Sequence, residues 1–442
     1  MPHKILKERN SLYSPHFSPN WEEHVLYDLA DWLNGMAFRD FNFSPNGRPV
    51  VKIAEIKNGI GNQTKFTDAQ YKEIYLLKKG DMLFCWSGQP ETSIDAFWWN
   101  GPEGWLNQHI FKVAPKAESK LFFFYLLKYL KPHFVQIAIN KQTTGLGHVT
   151  KGDLEKIIVK LPLPIEQKAI AAVLSSLDDK IELLREENKT LETLAQTIFK
   201  EWFVKFNFPD SKGKPYLALG GRMIDSPLGP IPEGWRVFYL EEIIETINGY
   251  SYKGKELKEA GEEALVTLKS FDRTGGFQVR GFKPFVGGNP KKQQEVLLGD
   301  LIVAHTDLTQ DAEVLGNPAF IFDNGGYKKM YITMDLVKII PKKEDITLGF
   351  FYYLMSTNSF KKHCIGYANG TTVLHLSKKA ITEYQIALPE NLLLVKEFSK
   401  IARATTLKTI SNFSQIKTLS TLRDSFLPKL MKGEIRVKEF TP

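Results

Sequence analysis

One segment of this sequence, GYSYKGKE at residues 249–256, resembles a motif that does chemistry. It fits the GxxxxGK phosphate loop, in which backbone amides and a lysine hold phosphates and the next residue gives a hydroxyl to magnesium. Glu256 stands where that hydroxyl is needed, so a glycine-containing turn is the better interpretation. The nine histidines are scattered, without an HxH, HExxH or Cys/His cluster, and they predict no metal site.

A second segment, NPAF at residues 317–320, resembles the NPPF tetrapeptide with which amino-methyltransferases grip a flipped adenine. It lacks the second proline, and no glycine-rich strand–turn–helix for S-adenosylmethionine accompanies it. A β-turn is the better interpretation. The sequence therefore predicts no catalytic residue, no cofactor and no metal bound by this chain.

Polar and basic loop residues give a clearer prediction, which is contact with DNA. Their side chains supply donors and acceptors to base edges and phosphates. Residues 251–292 add nine basic against five acidic side chains, near glycines that let the backbone approach a polyanion. The candidate DNA-binding residues are Asn62, Gln63, Ser87, Gln89, Lys141, Gln142, Thr143, Thr144, His148, Lys151, Arg273, Arg280, Lys283, Lys291, Lys292, His305, Asn369, Thr371, Thr372, His375 and Lys378. For any single residue an ordinary solvated loop is the favoured alternative, whereas the loops taken together favour DNA.

Composition bounds the class of protein. A length of 442 residues with 43% hydrophobic residues predicts two to three packed domains, and a net charge of +8 is a mild nucleic-acid signal. Cys85 and Cys364 are too few for a disulfide framework or a four-cysteine metal site, which indicates a reducing cytoplasm. Lys128 interrupts the most apolar run, residues 121–130, so we predict no signal peptide and no membrane span.

The chain contains two copies of one repeat. The first recurring residues are Trp21, Leu26, Asn34 and Gly35, which return 214 residues later as Trp235, Leu240, Asn248 and Gly249. The strand-like GDMLFCW at 80–86 recurs as GDLIVAH at 299–305, and the segment around His148 recurs around His375. Because the order is kept while the offset grows, we predict duplication followed by insertions in the second copy.

A long amphipathic helix follows the first copy. Counting from Ile170 to Trp202, apolar residues recur at alternating steps of four and three, which is a coiled-coil seam that includes the polar Asn188. A helix of roughly 40 residues is about 60 Å long and needs a partner helix. Asn188 predicts a pairing with a fixed register. A helix buried inside a compact domain is the alternative.

These patterns predict a mixed α/β fold with two similar globular domains, each followed by a long helix. The predicted parts are an N-terminal segment (1–20), a first globular domain (21–160), a central helix (161–206), a connector (207–232), a second globular domain (233–387), a distal helix (388–430) and a C-terminal tail (431–442).

The junctions between these parts resemble those of the DNA specificity (S) subunits of type I restriction-modification systems. The segments that carry the resemblance are KGDLEKIIVKLPLP (151–164), LPLPIEQKAI (161–170), IFKEWFVKF (198–206), GPIPEGW (229–235) and FLPKLMKGEIRV (426–437). The second copy departs from this pattern, because LPENLLLVKEF at 388–398 has no counterpart of Glu166 and Gln167.

The resemblance implies two target-recognition domains, each reading one half of a bipartite, asymmetric double-stranded DNA target. It also implies that the two helices pair as an antiparallel coiled coil with pseudo-twofold symmetry, space the half-sites, and dock two modification (methyltransferase) subunits. The implied docking residues are Glu166, Gln167, Phe199, Trp202 and Phe203. Two restriction (translocase and nuclease) subunits would complete the complex, and S-adenosylmethionine, ATP and magnesium are implied for these partners. The chain itself would be non-catalytic and cytoplasmic.

Two other functions stay open from the sequence. A fused or stand-alone restriction-methylation enzyme would methylate DNA without a partner. A repeat scaffold that does not bind DNA would show no rise in DNA binding as the salt concentration falls.

Overall fold

The structure is a computed structural model, and it describes residues 16–116, 119–142, 145–210, 213–273, 275–279, 281–377 and 379–437. The chain forms two compact units. The first unit combines Met1–Lys180 with Leu419–Pro442, and the second is Ile181–Thr418. Each unit therefore contains one globular region and a part of each of two long helices.

The first unit is a mixed α/β fold. Its strands are β1 (Glu22–Val25), β2 (Ala30–Asn34), β3 (Arg48–Val51), β4 (Phe66–Thr67), β5 (Leu76–Leu77), β6 (Met82–Cys85), β7 (Ser87–Gly88), β8 (Asp95–Trp98), β9 (Gly104–Leu106), β10 (Ile110–Pro115), β11 (Gly147–His148) and β12 (Ile158–Leu161). Its helices are α1 (Ile53–Asn58), α2 (Pro90–Ser93), α3 (Lys120–Asn140), α4 (Lys151–Leu154) and the first part of α5 (Pro164–Phe199).

The central strand β6 shows why this region folds in layers. Its four residues are all buried, and alternate residues of a strand point to opposite faces. Met82 and Phe84 pack with the aromatic residues of α3, whereas Leu83 and Cys85 pack in a separate core. The strand order is β2-β10-β6-β8 in one sheet and β4-β3-β9-β5 in the other, with β3 and β9 parallel.

The second unit repeats this arrangement. Its strands are β13 (Met223–Ile224), β14 (Ile231–Pro232), β15 (Trp235–Tyr239), β16 (Ile244–Asn248), β17 (Glu263–Val266), β18 (Lys283–Phe285), β19 (Glu295–Val296), β20 (Leu301–Ala304), β21 (Thr306–Asp307), β22 (Pro318–Phe320), β23 (Lys329–Ile332), β24 (Leu336–Pro341), β25 (Ala368–Asn369), β26 (Leu374–Leu376) and β27 (Gln385–Pro389). Its helices are α6 (Leu348–Met355), α7 (Asn358–Gly366), the rest of α5, and the first part of α8 (Leu393–Met431).

The sheet topology confirms the predicted repeat. The order β16-β24-β20-β22 matches β2-β10-β6-β8, and β18-β17-β23-β19 matches β4-β3-β9-β5 with the same parallel pair at its centre. The central strand β20 also divides its residues between two cores. Leu301 and Val303 lie in one, and Ile302 and Ala304 lie in the other.

The two long helices run antiparallel within each unit. In the first unit Asp178 of α5 meets Arg423 of α8, and Ile170 shares a core with Leu430. In the second unit Asn188 meets Asn412, and further along α5 Phe199 packs on Phe398.

The predicted seam of α5 faces inward. Of its ten residues, Ile170, Leu174, Ile181, Leu184 and Ala195 are buried and the other five are half-buried. The coiled coil and its pseudo-twofold symmetry stay predictions.

Several element boundaries differ from the sequence-based expectation. Helix α5 begins at Pro164, because Leu161 still pairs with Glu22 as the last residue of β12. It ends at Phe199 and passes into a π-helical turn, Lys200–Val204. Helix α8 begins only at Leu393, because β27 occupies Gln385–Pro389. Helix α3 contains the apolar run at residues 121–130 and continues to Asn140.

The predicted connector, residues 207–232, is partly packed. The Phe208 ring stacks on Tyr216 and on Trp235, with centroid distances of 4.7 and 5.1 Å. Strands β13 and β14 pair within this segment. Among the described residues, no helix is both long and apolar enough to cross a membrane.

Candidate nucleic-acid interface

One strand pair occupies the same place in both copies. In the first unit β7 pairs with β11, so that Ser87 lies opposite His148. In the second unit β21 pairs with β26, and Thr306 lies opposite His375 at the equivalent register. The flanking backbone bonds also match, because Val149 donates to the carbonyl of Trp86 and Leu376 donates to that of His305. The fold thus brings segments more than 60 residues apart together in each copy.

The first strand pair, β7 with β11, gathers several candidate residues. Gln89 follows β7 and is exposed, and Gln142 is exposed ahead of β11. Asn62 and Gln63 are also exposed, in the loop that follows α1. The ammonium of Lys57 in α1 donates to the carbonyl of Thr92 in α2. This bond links α1, which precedes the Asn62–Gln63 loop, to α2, which follows Gln89.

Lys141 has a role inside the chain. Its ammonium lies 2.6 Å from both carboxylate oxygens of Asp153, which also accepts hydrogen bonds from the Thr150 amide and hydroxyl. Burial raises the pKa of Asp153, but these hydrogen bonds outweigh it and hold the pKa below its ordinary value. Lys141 therefore fixes the start of α4 and is a weaker candidate for base contact than its neighbours.

Other candidates near β11 differ in their surroundings. The Lys151 ammonium lies 4.8 Å from the Tyr27 ring centroid and 3.5 Å from Glu155. Its side chain is 61% exposed, so it can still approach a phosphate. Thr143, Thr144, Arg280 and Lys378 lie outside the described residues.

The second strand pair, β21 with β26, carries a third strand, β25, in which Asn369 lies opposite His375. The Thr306 hydroxyl lies 3.1 Å from His375 Nδ1. Asn369, Thr371 and Thr372 are exposed. The exposed side chains at this edge are thus amide, hydroxyl and imidazole groups, which both donate and accept hydrogen bonds.

His305 is half-buried next to this sheet. Burial is the largest cause of its lowered pKa; a hydrogen bond with the Ser377 backbone opposes the shift, and His375 adds to it. We therefore expect His305 to act as a neutral hydrogen-bonding group at pH 7.

The basic side chains of residues 251–292 differ in whether they already have partners within the chain. Lys283 donates to the Tyr252 hydroxyl at 2.8 Å, and Arg273 lies 3.3 Å from Glu313. Lys291 and Lys292 are exposed at a turn whose Gln294 donates to the Asn248 carbonyl. Lys283 and Arg273 thus already have partners, while Lys291 and Lys292 extend into solvent.

Gln310 also lies at this edge, although the sequence did not indicate it. Its side-chain amide donates to the Thr371 carbonyl at 2.8 Å, which joins the loop after β21 to the Asn369–Thr372 segment. The only local signal is the polar run DLTQD at 307–311, which follows a buried strand.

The predicted docking residues lie mostly inside the chain. Phe199 and Phe203 are 1% and 4% exposed and pack on Phe350 and Phe398. Trp202 is half-buried beside Phe398. Burial against their own fold explains the apolar character of these three rings without a partner subunit.

The other two docking residues lie at the start of α5. Gln167 is 7% exposed and donates to the Pro162 carbonyl at 3.0 Å, which fixes the helix start. Glu166 is 4.0 Å from Arg436 and lines a groove of about 600 Å³. The exposed side chains next to them are Leu163 and Ile165, at 73% and 76%.

The two cysteines and the potential metal ligands were the remaining groups that could do chemistry. Burial raises the pKa of Cys85 and of Cys364 to about 12, so both thiols are protonated at pH 7. Among the residues that the structure describes, no three His, Cys, Asp or Glu side chains are placed to hold a metal ion. The arrangement can form hydrogen bonds and ion pairs with a polyanion.

Comparison with known proteins identifies the family of this chain. A family model described as the type I restriction modification DNA specificity domain matches residues 19–193 and again 232–417. The chain belongs to this family. As a specificity subunit it is the non-catalytic component of a type I restriction enzyme, and its two matched regions are its DNA target-recognition parts.

Curated relatives are similar in sequence to this chain over most of its length. The type I restriction enzyme MjaVIII specificity subunit of Methanocaldococcus jannaschii is 26% identical, over 88% of this chain and 86% of the relative. The HindI specificity subunit of Haemophilus influenzae is 24% identical over 94% of this chain and all of the relative. The S subunit of a type I restriction-modification system from M. genitalium has a similar fold, with a TM-score of 0.51 at 17% identity over 97% of this chain and 100% of that one.

Proposed function

We propose that this specificity subunit reads a bipartite, asymmetric double-stranded DNA target, with residues 21–160 reading one half and residues 233–387 the other. The main support for this proposal is the strand pair that recurs in both copies with the same register, with Ser87 opposite His148 and Thr306 opposite His375. A duplicated frame with different side chains around it suits two half-sites of different sequence.

The exposed groups near each strand pair suit direct reading of base edges. Amide side chains such as Gln89 and Asn369 can form two hydrogen bonds with adenine in the major groove, and imidazole and hydroxyl groups can donate or accept. The exposed Lys151, Lys291 and Lys292 suit phosphate contacts, which position the protein without reading sequence.

We further propose that α5 and α8 space the two half-sites and dock two modification (methyltransferase) subunits, with two restriction subunits completing the complex. The support is that large apolar side chains are exposed at the start of both helices: Leu163 and Ile165 at α5, and Leu393, 63% exposed, at α8. Exposed apolar groups of this kind are typical of interaction surfaces. S-adenosylmethionine, ATP and magnesium belong to the partners, and the cytoplasm, where the DNA target lies, is the proposed location.

A domain exchange tests the assignment of half-sites. Residues 21–160 would be replaced by the corresponding region of a relative with a known target, and methylated sites would be mapped in cells that carry the complete system. We expect one half of the target to change and the other to stay.

Exchanging residues 233–387 is the matched control and should change the opposite half. If either exchange altered both halves, the assignment of one domain to one half-site would be wrong.

A further inference from the structure

The loop between β21 and β22, residues 308–317, connects three parts of the candidate interface in the second unit. Gln310 donates to the Thr371 carbonyl at 2.8 Å, and Arg273 lies 3.3 Å from Glu313. The strand that leads into the loop carries Thr306, which contacts His375. Any change in this loop therefore acts on segments that the sequence already indicated as DNA-binding.

A buried carboxylate holds the base of the loop. Asp307 is 2% exposed, and its oxygens accept hydrogen bonds from the amide and hydroxyl of Thr309, both at 2.8 Å, and from the amides of Val314 and Leu315, at 2.6 and 3.1 Å. Residues on both arms of the loop thus bind one carboxylate. Hydrogen bonds to an ionised acceptor are about twice as strong as neutral ones, so the loop is fixed rather than loosely tethered.

An ammonium binds the part of the loop that precedes β22. Lys361 of α7 donates to the carbonyls of Glu313 and Leu315, at 3.1 and 2.6 Å, and to Asn317 Oδ1 at 2.8 Å. An ammonium has three donors, and all three are used here. Lys361 is therefore committed to the loop and is not available as a phosphate ligand.

The loop retains an uncommon backbone conformation between these two anchors. Ala312 has φ +50° and is 5% exposed. Non-glycine residues persist in this region only where their surroundings hold them, and such positions are frequent at binding sites. The tip exposes Leu308, Gln310 and Asp311 to solvent.

At the equivalent position of the first unit, which lies within the described residues, no carboxylate is present. Gly88 occupies the place of Asp307, and the helix α2 follows it. The loop held by Asp307 and Lys361 therefore distinguishes the second copy from the first.

We infer that Asp307 and Lys361 are positioning residues for reading the second half-site: they hold loop 308–317, and through Gln310 the Thr371 segment, in the geometry that contacts DNA. This inference rests on the proposed function, because it assigns the loop to one half of a bipartite target.

The test selects targets from duplexes with randomised half-sites, using the full chain in complex with its modification subunits. Lys361→Met removes the ammonium that binds loop 308–317. Lys362→Met is the matched control, because it removes the same charge from the exposed neighbouring position. We expect Lys361→Met to lower the preference for the second half-site roughly tenfold, about the effect of one mismatched base pair. The preference for the first half-site, and both preferences of Lys362→Met, should stay within about twofold.

A second variant keeps the test decisive if Lys361→Met does not fold. Gln310→Ala truncates an exposed side chain and should lower the second half-site preference by about threefold. The inference is overturned if both variants keep that preference, or if Lys361→Met, folded, weakens both half-sites equally. A wild-type complex that selects no bipartite target would overturn the proposed function itself.

Discussion

The two globular regions share a topology but differ in how their loops are held. In the first unit the strand pair β7–β11 has two strands and is followed by the short helix α2. In the second unit β26 also pairs with β25, and Asp307 and Lys361 brace the next loop. Duplication thus kept the sheets, whose cores tolerate little change, while the loops diverged.

A second difference lies where the globular regions meet α5. Tyr125 and Tyr353 are repeat equivalents, 228 residues apart. Tyr125 donates to Asp178 at 2.7 Å, and Arg423 neutralises that carboxylate from 2.6 Å. Tyr353 and Tyr352 instead contact Glu192, whose pKa is raised mainly by burial. The same packing position therefore carries a charged pair in one unit and a desolvated carboxyl group in the other.

The largest effect is expected from removing the carboxylate that holds loop 308–317. Asp307→Ala leaves three backbone amides and the Thr309 hydroxyl without their acceptor, a cost of about 2–3 kcal/mol. Hydrogen exchange at the Val314 and Leu315 amides should accelerate by roughly 30- to 150-fold, since local opening controls it. Asp311→Ala, at the exposed tip, is the control and should leave both amides protected.

The next largest effect is expected at the histidines of the two strand pairs. His148→Ala should weaken discrimination at the first half-site, and His375→Ala at the second, each by about 1–2 kcal/mol. Target selection with the partner-bound chain measures both. Equal losses at both half-sites from either variant would mean that the histidines stabilise the protein and do not read bases.

An effect of similar size, on stability and not on DNA reading, is expected at the ion pair of the first unit. Arg423→Met leaves Asp178 and Tyr125 without their cation and should destabilise the chain by about 1–2 kcal/mol. Lys408→Met removes the more exposed pair with Glu187 in the second unit, 3.2 Å apart, and should cost under about 1 kcal/mol. Thermal unfolding of the two variants provides the comparison, and a larger loss for Lys408→Met would contradict it.

The smallest effect concerns Glu192 and depends on pH. Because its folded pKa lies above the ordinary value of 4.5, its neutral form stabilises the fold at low pH, and that contribution is lost as the pH rises through the folded pKa. Glu192→Gln stays neutral and should raise stability at pH 7 by about 1 kcal/mol. The gain should shrink as the pH falls toward about 4.

Thermal unfolding at several pH values measures this gain. The control is Glu187→Gln, which loses the ion pair with Lys408 and should show no gain at pH 7. A gain for Glu192→Gln that did not vary with pH would show that burial of the carboxylate charge is not its cause.

The sequence by itself determined the repeat, the α/β class and the inward face of α5. Each of these depends on periodicity along the chain, such as the strand GDMLFCW and its copy or the steps of four and three from Ile170 to Trp202. Loop composition also indicated the segments around His148 and His375, which the fold then placed on equivalent strand pairs.

Only the tertiary structure decided which polar and aromatic residues are available to a partner. Lys141 is bound to Asp153, and Phe199 and Phe203 fill a core, although their residue types suited binding. Along α8 the apolar residues Leu407 and Leu422 are 57% and 40% exposed. Lys361 reaches Leu315 across 46 residues, and Arg423 reaches Asp178 across 245. Local pattern carries no information about such pairs, because hydrogen bonds and ion pairs form between whatever groups the folded backbone brings within about 3 Å.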